Sequence, residues 1–221
     1  FKGGVDGRVI LRAKQGGVRQ AKVKNLQVIA VPGAAGRVQG ILSDQLDIAQ
    51  GVPFDSKGQL EKDGHKMDVA TRPSVMGLRF MSVRKNSPFH DKRVRQAADY
   101  ALDRQSMADD LLGGITVPGS QCATRFTFGY NPNVKPYPYD PAKAKKLLAD
   151  AGYPNGFETE AMVLPGAFPA DNEIYQFAAQ QLGAVGIKVK LTNIVFAQWL
   201  DYWFGKKKGP EGTMGFSDIF Q

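Results

Sequence analysis

Two spacings of apolar residues take turns along this chain, one with the period of a strand and one with the period of a helix. "LQVIAVP" (26–32) has the β-branched density of a buried strand, and "AAGRVQGILSDQ" (34–45) spaces Val38, Ile41 and Leu42 at helical intervals. "LDIAQGVP" (46–53) reads as a second strand ended by proline, so residues 26–53 predict a β-α-β unit. A short polar helix or loop follows in "DSKGQLEKDG" (55–64). The latter half of 65–83 reads as a buried strand that Pro73 and Gly77 bend or divide in two.

From Ser87 the helical period dominates. In "SPFHDKRVRQAADYALD" (87–103) Asp91 stands where an N-cap belongs, and Val94, Ala97, Ala98 and Ala101 form one apolar stripe. Asp103 can cap a second helix carrying Met107, Leu111 and Leu112, which Gly113-Gly114 stops. Residues 115–138, rich in Pro, Gly and polar side chains, predict a long loop, a kind of segment that commonly serves function.

Next comes a helix with both ends marked: Asp140 as cap, Pro141 at the first position, Ala144, Leu147, Leu148 and Ala151 inward, and Gly152 for a left-handed exit. A strand over 157–165, an amphipathic helix over 171–186 with Ile174, Phe177, Ala178, Leu182 and Val185 inward, and a strand over 187–195 predict a second β-α-β unit. It would be a parallel pair if both strands share a sheet. An aromatic helix over 196–209 and a final strand from about residue 213 complete the reading.

Composition narrows the class. The 221 residues are 43% hydrophobic, enough to bury a sizeable core. No run of eighteen apolar residues occurs, and "FKGGVDGRV" lacks the regions of a signal peptide, so the chain is expected to start after processing or inside something longer. The formal net charge of +8 raises the question of nucleic acid. Its excess, however, is concentrated in residues 1–24, where seven Lys/Arg face one acid among glycines, with no aromatic partner beyond Phe1. A solvated segment is the expected reading. One cysteine, Cys122, excludes an internal disulfide and reads as a small buried hydrophobe; two distant histidines, His65 and His90, give no metal set.

Catalysis would require a nucleophile with a base, paired carboxylates, or a metal. None is legible: the Ser and Asp residues fall at caps and turns, Asp109-Asp110 read as exposed helix acids, and neither "GGVDG" nor "VPGAAG" has the spacing of a phosphate-binding loop. No enzyme activity and no cofactor is therefore expected.

Three stretches in order carry a resemblance: "SPFHDKRVRQAADYALDRQSMADDLLGG", "GYNPNVKPYPYDPAKAKKLLADAGYPNGF" and "IYQFAAQQLGAVGIKVKLTNI". Together they resemble the extracytoplasmic solute-binding proteins of ABC importers, family 5, which includes the dipeptide-, oligopeptide- and nickel-binding proteins. The likeness runs from about Val31 to Gly215, and family chains are more than twice this long, so the chain is similar to an internal piece. Met81 departs from the asparagine often found at its position.

The resemblance implies an α/β, periplasmic-binding-protein-like fold (type II, cluster C). Residues 1–80 would be part of lobe one, and 81–221 lobe two, truncated at its C-terminal end. It also implies capture of a peptide or similar small organic solute in an interlobe cleft and its delivery to an ABC permease. The protein would be periplasmic or cell-surface anchored, a monomer, and without a nucleic-acid partner. Phe216 stands where the family's cleft aromatic falls, with Ser217 and Asp218 beside it; a strand-end turn is the plainer reading of the three.

Trp199, on an aromatic helix with Trp203 one turn on, is a candidate wall, although core packing is the stronger claim for the pair. Arg125, in the long loop, could hold a ligand carboxylate, although surface arginines are common. An α/β enzyme without a recognisable motif and a basic nucleic-acid module stay open as alternatives.

Overall fold

The computed structural model describes residues 2–3, 7–14, 16, 20–31, 33–70, 74–80, 82, 85–166, 168, 170–204 and 214–220; within these, the side chains of residues 2, 3, 78, 203 and 214–220 are left aside. Two sheets organise the chain. The first is antiparallel and three-stranded, in the order β1 (Lys2–Gly3), β2 (Arg8–Arg12), β3 (Asn25–Ile29). The second is four-stranded, in the order β4 (Ser74–Phe80), β7 (Met214–Phe220), β5 (Phe157–Val163), β6 (Ile187–Asn193).

The first sheet corrects the expected β-α-β unit. Asn25–Ile29 does form a strand, but it pairs with β2 inside the basic segment, Val9 opposite Val28 and Leu11 opposite Leu26. It is exposed rather than buried, with Leu26 and Val28 both 49% accessible. Helix α1 (Ala34–Leu42) forms as expected. Residues 46–53 do not form a strand, because local bonds fold them back on α1. Both Gln45 and Leu46 donate backbone N–H groups to Gly40 O at 2.9 Å, and Arg37 donates to Gly51 O at 2.9 Å and to Val31 O at 3.1 Å. A 3-10 turn (Phe54–Ser56) then leads into the short helix α2 (Lys57–Lys62).

β4 is one continuous strand, not two segments. It pairs along its length with β7, and Gly77 sits opposite Ser217. The expected division at residue 80 thus falls at the far end of a strand belonging to the four-stranded sheet. Pro73 and Met81 lie outside the described residues.

The helices supply one face of this sheet's core. Helix α3 (Lys92–Tyr100) starts where the Asp91 carboxylate accepts from Arg93 N at 2.7 Å, and its stripe Val94, Ala97, Ala98 and the following Ala101 is fully buried. Asp103 accepts from Ser106 N and Ser106 Oγ at the head of α4 (Arg104–Ser106), which widens into a π-turn (Met107–Leu111) before Gly113 and Gly114 turn the chain at positive φ. In helix α5 (Pro141–Asp150) the Asp140 carboxylate accepts from Lys143 N at 2.9 Å. Its exit has the two bonds of a left-handed cap, Gly152 N to Ala149 O and Tyr153 N to Leu148 O.

β5 and β6 run parallel through helix α6 (Asp171–Ala184), as expected of a β-α-β unit in one sheet. Of the expected inward residues of α6, Ala178, Leu182 and the following Val185 are buried. Asp171 and Tyr175 are buried with them, whereas Ile174 and Phe177 are only half-buried. At the centre, Phe89 is fully buried, stacks on Phe80 at 4.8 Å and meets Phe157 edge-on at 5.6 Å. Helix α7 (Phe196–Trp203) follows β6; the expected continuation over 205–209 lies outside the described residues. Cys122 is exposed, contrary to the buried reading, because it rides on a loop over the surface rather than on a packed element.

Candidate ligand-binding edge

The strand order gives the site its place. From β5 the chain crosses through α6 to β6 on one side, and from β6 it returns through α7 past β5 to β7 on the other. Since β5 pairs parallel with both neighbours, all three strands share one carboxyl end. In open α/β sheets, the crevice beyond these ends, where the winding reverses, is where ligands sit.

Three elements meet there. Ala161 and Met162 pair with Met214 and Gly215, so the backbone of Phe216, Ser217 and Asp218 runs level with the last residue of β5 and beyond it. There these residues pair with β4 alone, opposite Leu78, Gly77 and Met76. Their side chains fall outside what is described. The loop after β5 is held by Asp171, whose buried carboxylate accepts from Gly166 N at 3.1 Å and from Phe168 N at 3.0 Å. A carboxylate in the first turn of α6 also meets the favourable end of the helix dipole. This loop went unnoticed in the sequence, although Pro165-Gly166 followed by an aspartate is a turn-and-helix-start signal.

The third element is the connection after β6. Val195 N donates to Gln198 Oε1 at 3.1 Å at the start of α7, and Phe196, 59% exposed, stacks on Trp199 at 5.7 Å. Trp199 is half-buried; the Trp203 side chain falls outside what is described.

Arg125 is less tied to this edge. It is exposed, and its guanidinium lies over the Phe126 ring at 4.7 Å. The root of its loop does reach the edge: a Cβ on Gly119 would lie 3.2 Å from a methyl of Val75, in β4.

Two open hollows lie elsewhere. One of about 480 Å³ is lined by Glu158, Glu160, Lys188 and Lys190 on β5 and β6, and one of about 370 Å³ lies between α1 and α2. The first is a solvated charged surface, with Lys188 and Glu158 3.6 Å apart and largely exposed. The carboxyl edge is the candidate site on topological grounds. Among the described residues no group of three His, Cys, Asp or Glu side chains could hold a metal ion, and no helix is long and apolar enough to cross a membrane.

The pattern of the bacterial extracellular solute-binding proteins, family 5 (its middle region), matches residues 5–210, and the chain belongs to that family. Over 166 residues it is 32% identical to the glutathione-binding protein GsiB of Escherichia coli K12, covering 75% of this chain and 32% of GsiB. Among solved structures, DppA of Helicobacter pylori in complex with the peptide STSA superposes with a TM-score of 0.80 at 24% identity, over 100% of this chain and 42% of DppA. NikZ of Campylobacter jejuni in complex with Ni(L-His) gives 0.80 at 17% identity, over 100% and 45%. The fold is that of the periplasmic binding proteins, and the chain spans about a third of the length of GsiB.

Proposed function

We propose that this chain is part of a solute-binding protein that captures a peptide or similar small organic solute outside the cytoplasmic membrane and delivers it to an ABC permease, with no bond made or broken. Membership of family 5 across residues 5–210 is the observation that carries this reading. Residues 1–80 contribute to one lobe and 81–221 to the other, and β4, the last strand of the first segment, crosses over to pair in the sheet of the second. Solute is held between the lobes, and binding shifts an open-closed equilibrium by its greater affinity for the closed state. The protein works as a monomer and takes no nucleic acid.

Phe216 supplies an aromatic wall, Ser217 and Asp218 polar contacts beside it, and Trp199 a flank. Asp218 is suited to a ligand ammonium and Arg125 to a ligand carboxylate. Support comes from the backbone position of residues 216–218 at the carboxyl edge.

Titration calorimetry on the parent chain tests this, with glutathione, Met-Leu and Ser-Thr-Ser-Ala as first probes. Phe216→Ala should weaken binding roughly tenfold to a hundredfold, the loss of about 1–3 kcal/mol of apolar contact. Unchanged affinity with the fold intact would remove residue 216 from the site, and turnover of any probe would overturn the binding reading.

A further inference from the structure

The element pairs that pack extensively all fall on one side or the other of the connection between α2 and β4. β1, β2, β3, α1 and α2 make one set, and β4 through β7 with their helices make the other. One contact between the sets is close enough to favour a bare backbone on one side of it. Phe54, in the 3-10 turn before α2, lies against Gly113, in the turn that ends the π-turn segment. A Cβ at Gly113 would sit 2.4 Å from two carbons of the Phe54 ring, and Gly113 has φ +59°. An added side chain would have to displace the Phe54 ring, and it would sit in a left-handed backbone conformation that favours glycine.

Each side of the contact is anchored in its own set. Lys57 Nζ stands 5.7 Å from the Phe54 ring centroid, and Arg37 ties α1 to Gly51, three residues before Phe54. On the other side, Gly114 N donates to Ala108 O at 2.9 Å, and Ala108 is buried in the segment that packs on α6.

We propose that Phe54 seated on Gly113 is the joint that fixes the part of the chain before β4 against the part after it, and so sets the resting angle between the two lobes. This rests on the two-lobe reading given above. A ring against a bare backbone tolerates small rotations while resisting separation, which suits a pivot.

The test needs no solute. Spin labels at Ser43→Cys, at the end of α1, and Lys146→Cys, on α5, in a Cys122→Ser background, report the separation of the two parts by pulsed electron spin resonance. The unsubstituted joint should give a single narrow distance. Gly113→Ala, which inserts a methyl where the ring lies, and Phe54→Ala, which removes the ring, should each lose that single distance for a broader or shifted one. Gly58→Ala, an α2 glycine whose added Cβ would meet nothing within 4 Å, should keep it. Far-UV circular dichroism checks that each variant is folded. If Gly113→Ala unfolds, Phe54→Ala, which only removes atoms, decides. Distance distributions of folded Phe54→Ala that superimpose on the unsubstituted ones overturn the joint, whatever calorimetry says of solute binding.

Discussion

Gly156→Ala should be among the most damaging single-methyl changes in this chain. β5 and β6 begin side by side where Gly156 meets Gly186, and Phe157 N donates to Gly186 O at 3.0 Å. A Cβ at Gly156 would lie 2.0 Å from Gly186 O, 2.6 Å from its carbonyl carbon and 2.8 Å from its Cα, all backbone atoms that cannot rotate away. Gly156 also has φ +74°, so alanine there carries a left-handed penalty of about 1 kcal/mol. Forcing the strand starts apart adds roughly 1–3 kcal/mol, as overpacking generally does. The sum, roughly 2–4 kcal/mol, corresponds to a fall of about 4–16 °C in melting temperature for a chain of this size.

Gly152→Ala separates the two contributions. Gly152 has φ +91°, but its added Cβ would meet nothing within 4 Å, so it should carry the backbone penalty alone, a fall of about 2–4 °C. Thermal unfolding followed by circular dichroism, with both variants under one buffer and scan rate, reads the difference. If Gly156→Ala melts no lower than Gly152→Ala, the close approach of the two strand starts is not a constraint, and the register Phe157 opposite Ile187 loses its steric explanation.

Three further outcomes follow from the caps and the edge loop. Asp140→Ala removes the carboxylate that accepts from Lys143 N and should cost about 1 kcal/mol, read as a lowered denaturation midpoint with an unchanged slope. Asp91 has its pKa lowered from 3.8, first by the side-chain bond from Arg93 and then by the Arg93 backbone N–H. Its stabilisation is therefore present above that value and is lost as pH falls through the lower folded-state pKa. Melts between about pH 5 and pH 2 should show a steeper acid decline in the wild type than in Asp91→Asn, and parallel declines would refute this. Asp171→Ala strips the loop after β5 of both its bonds and should destabilise by about 2–3 kcal/mol. In the parent chain it should also weaken solute binding, and unchanged affinity there would take that loop out of the site.

What the sequence disclosed depended on how local the deciding chemistry was. Helix α5 was readable from end to end, because its cap, first proline, apolar face and exit glycine lie within thirteen residues. The strand pairing was not. That β4 lies against β7, some 140 positions later, is decided by which strand fills the place next to β5, and no window of sequence holds that information. Residues 46–53 misled for a related reason. Their apolar spacing suits a strand, but the bonds from Arg37 and to Gly40 O compete for the same backbone and win. At the candidate edge, the segment 216–218 was singled out through the family likeness, whereas the loop after β5 was passed over. Asp171 was read as the start of a helix, as it is, but its carboxylate also reaches backward to organise the turn before it.

The way α3 and α5 are joined limits how this part of the molecule can deform. The Arg93 guanidinium donates to Asp150 O at 2.6 Å, linking the start of one helix to the end of the other, and Asp140 N donates to Tyr100 O at 2.8 Å at the opposite end. Lys143 Nζ bonds Tyr100 Oη at 2.7 Å beside the second link. Between these two clasps, Ala97 on α3 and Ala144 on α5 have no exposed surface. Sliding one helix along the other would break the bonds at both ends together. Shear, the small axial slip by which many helical lobes adjust to a ligand, is therefore opposed in this pair, which favours rearrangements that carry both helices together as one block.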